Sequence, residues 1–113
     1  VRRVLRFGNE PVVFDEIYLP GELFSDLTLE TLTTSGMSLY SLFESRFGVQ
    51  MIRAEERLRA VSADKVGAEI LQVAEGSPLL LVERVTFTYA DKPVEWRRGQ
   101  YSTRNFHYHN ELG

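Results

Sequence analysis

The last strand-like run of the chain, Val94 to Thr103, carries Glu95, Arg97 and Tyr101 at alternate positions. An extended backbone projects all three on one face. Gly99 lies among them and leaves room for something to approach the backbone. The same spacing also describes a solvated outer face with a cross-strand ion pair, and periodicity alone favours that plainer reading. A second cluster is Ser38-Leu39-Tyr40 at the start of a helical pattern. Free N–H groups at a helix start, together with a serine hydroxyl, make a site for a phosphate or carboxylate. Every helix has such an end, so this signal is weak by itself.

Other reactive types lead nowhere as firm. Ser38 is the nearest thing to a nucleophile, but the two histidines, His107 and His109, lie near the C-terminus, and a helix-capping serine is the commoner case. The histidines flank Tyr108 and would share a face if extended, yet spacing suggests no third metal ligand. Glu55-Glu56 and Asp15-Glu16 are adjacent pairs, which point to opposite faces of a strand and do not converge. Arg2-Arg3 and Arg97-Arg98 are too dispersed for a nucleic-acid site. No phosphate loop, dinucleotide glycine pattern, Gly-x-Ser-x-Gly elbow or His-Glu-x-x-His is present, and no cofactor is implied.

The elements that must hold these residues read as β-β-α-β-α-β-β. Val1 to Phe7 and Pro11 to Tyr18 are strands around a Gly8-Asn9-Glu10 turn. In the second, Val13, Asp15 and Ile17 share one face, and Val12, Phe14 and Glu16 the other. Glu22 to Gly36 is irregular with a short helical turn. Ser38 to Phe47 is a helix, with Leu39, Leu42, Phe43 and Phe47 on one face, Ser38 as N-cap and Gly48 at the C-cap. Val49 to Val61 reads as a long strand with an apolar face of Ile52, Ala54, Leu58 and Ala60 and a charged face of Arg53, Glu55, Arg57 and Arg59. Asp64 to Val73 is a second helix, turning Val66, Ile70 and Leu71 inward. Leu79 to Tyr89 and Val94 to Thr103 form a hairpin. Short direct connections favour an antiparallel sheet with helices packed on one face, an α+β architecture.

Composition fits this. The 113 residues suit one domain, residues 1–113, and 43% hydrophobic with 26% charged residues is ordinary for a chain with a real core. Thirteen Lys+Arg against sixteen Asp+Glu give a charge of −3, which offers nothing to attract DNA or an anionic membrane surface. The absence of cysteine removes disulfides, thiol catalysis and Cys-based zinc sites. The longest strongly apolar run, Leu79 to Val82, is too short to span a bilayer, and no signal peptide is visible, so a cytoplasmic location is the default.

An ordered set of short features carries a family resemblance. It comprises Arg6, then Pro11-Val12-Val13-Phe14-Asp15 and Tyr18-Leu19-Pro20, then Ser38-Leu39-Tyr40 and Phe47-Gly48. Ala63-Asp64, Ile70-Leu71 and Gly76-Ser77-Pro78-Leu79-Leu80 come next, with Arg84, Asp91-Lys92-Pro93-Val94-Glu95 and Tyr101 last. Together they resemble the UTRA domain, the effector-binding half of GntR-type bacterial transcription regulators of the HutC subfamily. The resemblance implies a chorismate-lyase-like antiparallel sheet with flanking helices. It also implies a small anionic metabolite as ligand: a sugar phosphate, an amino-acid derivative or a carboxylate. DNA would be bound only through an attached N-terminal winged helix-turn-helix, absent from this chain along with the first part of the domain, and a homodimer is implied.

Carried over by position, the resemblance assigns Arg6 to the effector's anionic group, Asp15 to a polar group of the ligand, Ser38 and Tyr40 to the anion, and Glu95 and Tyr101 to closing the site. Relatives that bind phosphosugars carry a second arginine where this chain has Val4. Arg3 points the other way on a regular strand, so a carboxylate or monoanion is the better expectation. A small lyase on the same fold and a dimerisation module with a vestigial pocket are the alternatives.

Overall fold

The computed structural model describes all residues, Val1–Gly113. Five strands form one sheet: β1 (Arg2–Phe7), β2 (Glu10–Tyr18), β3 (Arg53–Ser62), β4 (Pro78–Phe87) and β5 (Pro93–Ser102). Their spatial order is β1-β2-β5-β4-β3, with every neighbouring pair antiparallel. Three helices join them: α1 (Leu29–Thr34), α2 (Leu39–Phe47) and α3 (Lys65–Leu71). The expected α+β sheet with flanking helices is thus present. No helix is long and apolar enough to cross a membrane.

The helices do not share a face of the sheet, as short connections had suggested. α3 lies on one side, where Ala68 and Leu71 pack with Phe14, Ala63 and Leu79. Gly67 fits so closely there that an added Cβ would come 2.9 Å from Gln100 Oε1. α2 lies on the other side, where Phe43 packs with Phe24, Val49 and Val94. Two small cores therefore lie on opposite faces of the inner strands β2, β5 and β4.

Local signals explain α2. Ser38 is the N-cap and its side chain accepts from the Ser41 N–H, while Gly48 closes the helix at φ 65°. That left-handed conformation is open to glycine at little cost. The irregular stretch before it holds α1, whose N-cap is Thr28.

Three expectations fail for reasons of layer geometry. Val66 is 58% exposed, because α3 has only seven residues and turns Gly67, Ala68 and Leu71 to the sheet. The strand expected from Val49 begins at Arg53, since Val49 instead enters the α2 core. The supposed apolar face of β3 is uncovered, with Ile52 50% and Leu58 46% exposed. β3 is an edge strand beyond the reach of both helices.

Strand pairing breaks at two places. Pairing of β1 with β2 slips between Leu5 and Arg6, so that Leu5 faces Val13 while Arg6 faces Pro11. Val12 is the extra residue. Pairing of β4 with β5 slips between Thr86 and Phe87, leaving Val94 as the extra residue. Such bulges re-aim side chains by one position.

The two-core arrangement predicts unequal costs of truncation. Phe43→Ala removes a fully buried ring and is expected to cost about 3–5 kcal/mol, whereas Val66→Ser should stay within about 0.5 kcal/mol of the parent. Urea unfolding monitored by circular dichroism checks both.

Candidate functional site

On the α2 side of the sheet, the cross-strand rows place charged residues side by side. Arg3 faces Asp15, and Asp15 faces Gly99. One row over, Arg97 faces Arg84, which faces Glu56; in the next row Glu95 faces Thr86. Asp15 and Glu95 are buried, at 3% and 2% exposure. A carboxylate so far from water persists only with charged and hydrogen-bonding partners.

Each has them. Glu95 accepts from the Tyr40 hydroxyl at 3.0 Å, from Thr86 Oγ1 at 3.1 Å and from Arg97 Nη2 at 2.9 Å. Asp15 Oδ2 receives Arg3 Nε and Nη2, both at 3.0 Å, and lies 3.9 Å from Arg97 Nη1. Arg84 donates Nη1 to the Tyr40 oxygen at 2.9 Å and grips Glu56 Oε2 through Nε and Nη2 at 3.2 and 3.0 Å. Burial works against the Arg84 charge, but its bonds to Tyr40 and Glu56 outweigh that and raise its pKa above the ordinary value. Tyr40 is therefore the hinge of the network: its oxygen accepts a hydrogen bond from Arg84 and its O–H donates one to Glu95.

The bulge at Val94 makes this possible. Val94 and Glu95 are both buried, one in the α2 core and the other bonded to the α2 residue Tyr40. Strict alternation would have turned one of them away.

Beside the network, Arg3, Ser38, Leu39, Tyr40 and Arg97 line an open pocket of about 230 Å³. Ser38, Leu39 and Tyr40 at the start of α2 form one wall, so the positive end of the helix and two arginine side chains border the same space. Arg97 also lies 5.4 Å from the centre of the Tyr40 ring.

Of the residues singled out in the sequence, Ser38 and Tyr40 lie on the pocket wall, and Asp15 and Glu95 are bonded to Arg3 and Arg97 that line it. Arg6 does not join them. It is exposed, and Nη1 donates to the Asn9 carbonyl at 3.4 Å, within the β1–β2 turn. An unbroken hairpin from Gly8-Asn9 would put Val4 and Arg6 on the Asp15 face. The extra residue Val12 shifts the register by one and brings Arg3 there instead. Tyr101 also departs from expectation. Its ring fills the notch above Gly99, where an added Cβ would meet Tyr101 Cε2 at 2.9 Å and Asp15 Oδ1 at 3.2 Å. The space expected over Gly99 is therefore occupied. Tyr101 lines a different cavity, of about 260 Å³, with Val12, Leu80 and the C-terminal residues Phe106 and His107. Burial first, and the nearby Asp15 charge second, raise the Tyr101 pKa against the opposing influence of Arg84 and Arg97.

Sequence reading missed Arg3, Arg84 and Thr86 as site residues. Arg84 appeared in the motif set without a role. Its partnership with Tyr40 spans 44 residues and needs strand order to be seen.

The model of one protein family, the UTRA domain, matches residues 1–107. An HTH-type transcriptional regulator of Mycobacterium tuberculosis is 33% identical over 98 residues, 84% of this chain and 36% of that protein. An HTH-type transcriptional repressor of Salmonella typhimurium is 33% identical over 113 residues, 96% of this chain and 45% of that one. The chain thus spans under half the length of these curated relatives. The ligand-binding domain of a GntR-family transcriptional regulator from Bordetella bronchiseptica is 52% identical, with a TM-score of 0.92 over 99% of this chain and 69% of that one. The effector domain of PhnF from Mycobacterium smegmatis shares the fold at 23% identity, with a TM-score of 0.82 over 99% of this chain and 67% of that one.

The network predicts two outcomes. Tyr40→Phe strips a donor from Glu95 and an acceptor from Arg84, and should cost about 1–3 kcal/mol in denaturant unfolding. For Tyr101, the raised folded pKa means a contribution to stability that is complete below its ordinary value of 10.0 and is lost as pH rises through the folded value. Asp15→Asn removes one of the raising influences, so tyrosinate absorbance should show Tyr101 ionising at lower pH than in the parent.

Proposed function

This chain belongs to the UTRA domain family, and on that premise we propose that it is the ligand-sensing part of a bacterial GntR-type transcription regulator of the HutC kind, not an enzyme. The observation that carries this reading is the pocket beside the α2 N-terminus, bordered by Arg3, Arg97, Ser38 and Tyr40, with two buried carboxylates behind it. Its chemistry suits a small anionic metabolite: a sugar phosphate, an amino-acid derivative or a carboxylate.

In this reading the α2 N–H groups, the Ser38 hydroxyl and the pocket arginines meet the anion. Asp15 and Glu95 meet hydroxyl or amino groups of the same ligand. Tyr101 stands beside Asp15 and limits how far the ligand extends toward the C-terminal segment. DNA is contacted by a winged helix-turn-helix attached N-terminal to the chain, whose operator affinity the ligand changes through its unequal affinity for two states of the regulator. Two copies form the working cytoplasmic regulator. The uncovered edge of β3, with Leu58 and Ile52 exposed, supports that, since free sheet edges are usually covered or paired.

Thermal-shift measurement against sugar phosphates, amino acids and small carboxylates tests the reading. A true effector at one hundred times its Kd adds about 2.7 kcal/mol and should raise Tm by roughly 10 °C. Ser38→Ala and Asp15→Asn should each weaken that effect. Failure of every compound to stabilise the domain, or a ligand indifferent to both substitutions, would sink it.

A further inference from the structure

Three arginines face the same side of the sheet, and they are not used alike. Arg3 commits Nε and Nη2 to Asp15, both at 3.0 Å. Arg84 spends Nε and Nη2 on Glu56 and Nη1 on Tyr40. Arg97 makes one short contact, Nη2 to Glu95 at 2.9 Å, and one long one, Nη1 to Asp15 at 3.9 Å. Its Nε is buried with no protein acceptor. A guanidinium carries five donors in a planar fork, so Arg97 leaves most of its capacity unspent while its side chain is 16% exposed and lines the pocket. Buried donors without partners are uncommon and call for a reason.

We infer that Arg97 is the residue that receives the effector's anionic group, and that this group is a carboxylate. The inference rests on the effector-pocket reading and adds to it which arginine does the work. Partner loss discriminates among the three. Moving Arg3 to a ligand strands the buried Asp15, whose remaining cation sits 3.9 Å away. Moving Arg84 strips Tyr40 and Glu56 together. Moving Arg97 off Glu95 would strip Oε2 of its donor, since the Tyr40 and Thr86 hydroxyls both bond Oε1, at 3.0 and 3.1 Å. Arg97 therefore keeps Nη2 on Glu95 and has Nη1, 3.9 Å from Asp15, to offer. Arg97 is the one with donors to give the pocket while its short ion pair stays in place. A guanidinium edge suits the paired oxygens of a carboxylate and of a phosphate alike, so charge decides between them. A single underused guanidinium matches one negative charge better than two.

Titration of the chain with sodium acetate at constant ionic strength, monitored by nitrogen-15 NMR, tests this directly. The arginine Nε–H signals separate Arg97 from Arg3 with no substitution at all. The expected result is a saturable shift of the Arg97 Nε–H together with the backbone amides of Ser38 to Ser41. In Arg97→Lys, which keeps a charge beside Glu95 but loses the fork, acetate should bind about tenfold more weakly. If the Arg3 Nε–H moves in its place, or Arg97→Lys binds acetate as the parent does, the assignment to Arg97 is overturned and the anion pocket stands. If neither acetate nor inorganic phosphate shifts any pocket-lining signal saturably, the pocket reading falls and takes this assignment with it.

Discussion

Two carboxylates with almost no access to water set the terms for one side of this sheet. A buried charge is tolerated only when opposite charge and hydrogen-bond donors surround it. Asp15 on β2 and Glu95 on β5 meet that demand through Arg3 on β1, Arg97 on β5 and Tyr40 on α2. Carboxylates and partners together draw on four separate elements. On this face ion pairs thus reinforce the order β1-β2-β5 that backbone pairing sets. The docking of α2 is fixed by a phenol as well as by the Phe24–Phe43 contact, whose ring centres lie 4.8 Å apart.

The neighbourhood is also close to neutral: Arg3, Arg84 and Arg97 stand against Asp15, Glu56 and Glu95. A neutral, internally paired cluster does not draw in ions by long-range attraction. It discriminates by exchange, because an incoming group must replace each bond that it breaks. A ligand that brought charge without matching donors would leave a buried carboxylate uncompensated, which is the costly outcome. On the proposed effector reading, selectivity for a ligand's pattern of polar groups would arise from the same pairing that stabilises the fold.

Much of the scaffold could be read from local signals. Ser38, Gly48 and the apolar spacing between them define α2 because capping and helical period act within a few residues. The parity of Glu95, Arg97 and Tyr101 held along β5 for the same reason: it is a property of one strand. What failed was whatever depended on a partner. Leu58 and Ile52 have the pattern of a buried face, yet β3 sits at the edge, and no sequence period states where a sheet ends. Val66 lost its inward place because a helix of two turns has room for few contacts.

The exchange of Arg6 for Arg3 shows the limit most clearly. In a hairpin, the turn and the register together decide which residues share a face, and a slip of one position inverts every choice. Gly8-Asn9 marks the turn, and from it an even count along β1 leads to Val4 and Arg6. Val12, however, is accommodated as an extra residue, and it lines the Tyr101 cavity alongside Leu80. Pro11, beside it, borders a space shared with Leu71 and Val73 on the α3 side. From the bulge onward the odd residues of β1 face Asp15. Nothing in Pro-Val-Val-Phe announces a bulge, because its cause lies in what the neighbouring strands and helices demand: a cation at Asp15 and an apolar residue under the C-terminal segment. Val94 obeys the same logic on β5, where one extra residue lets two successive side chains serve a single helix.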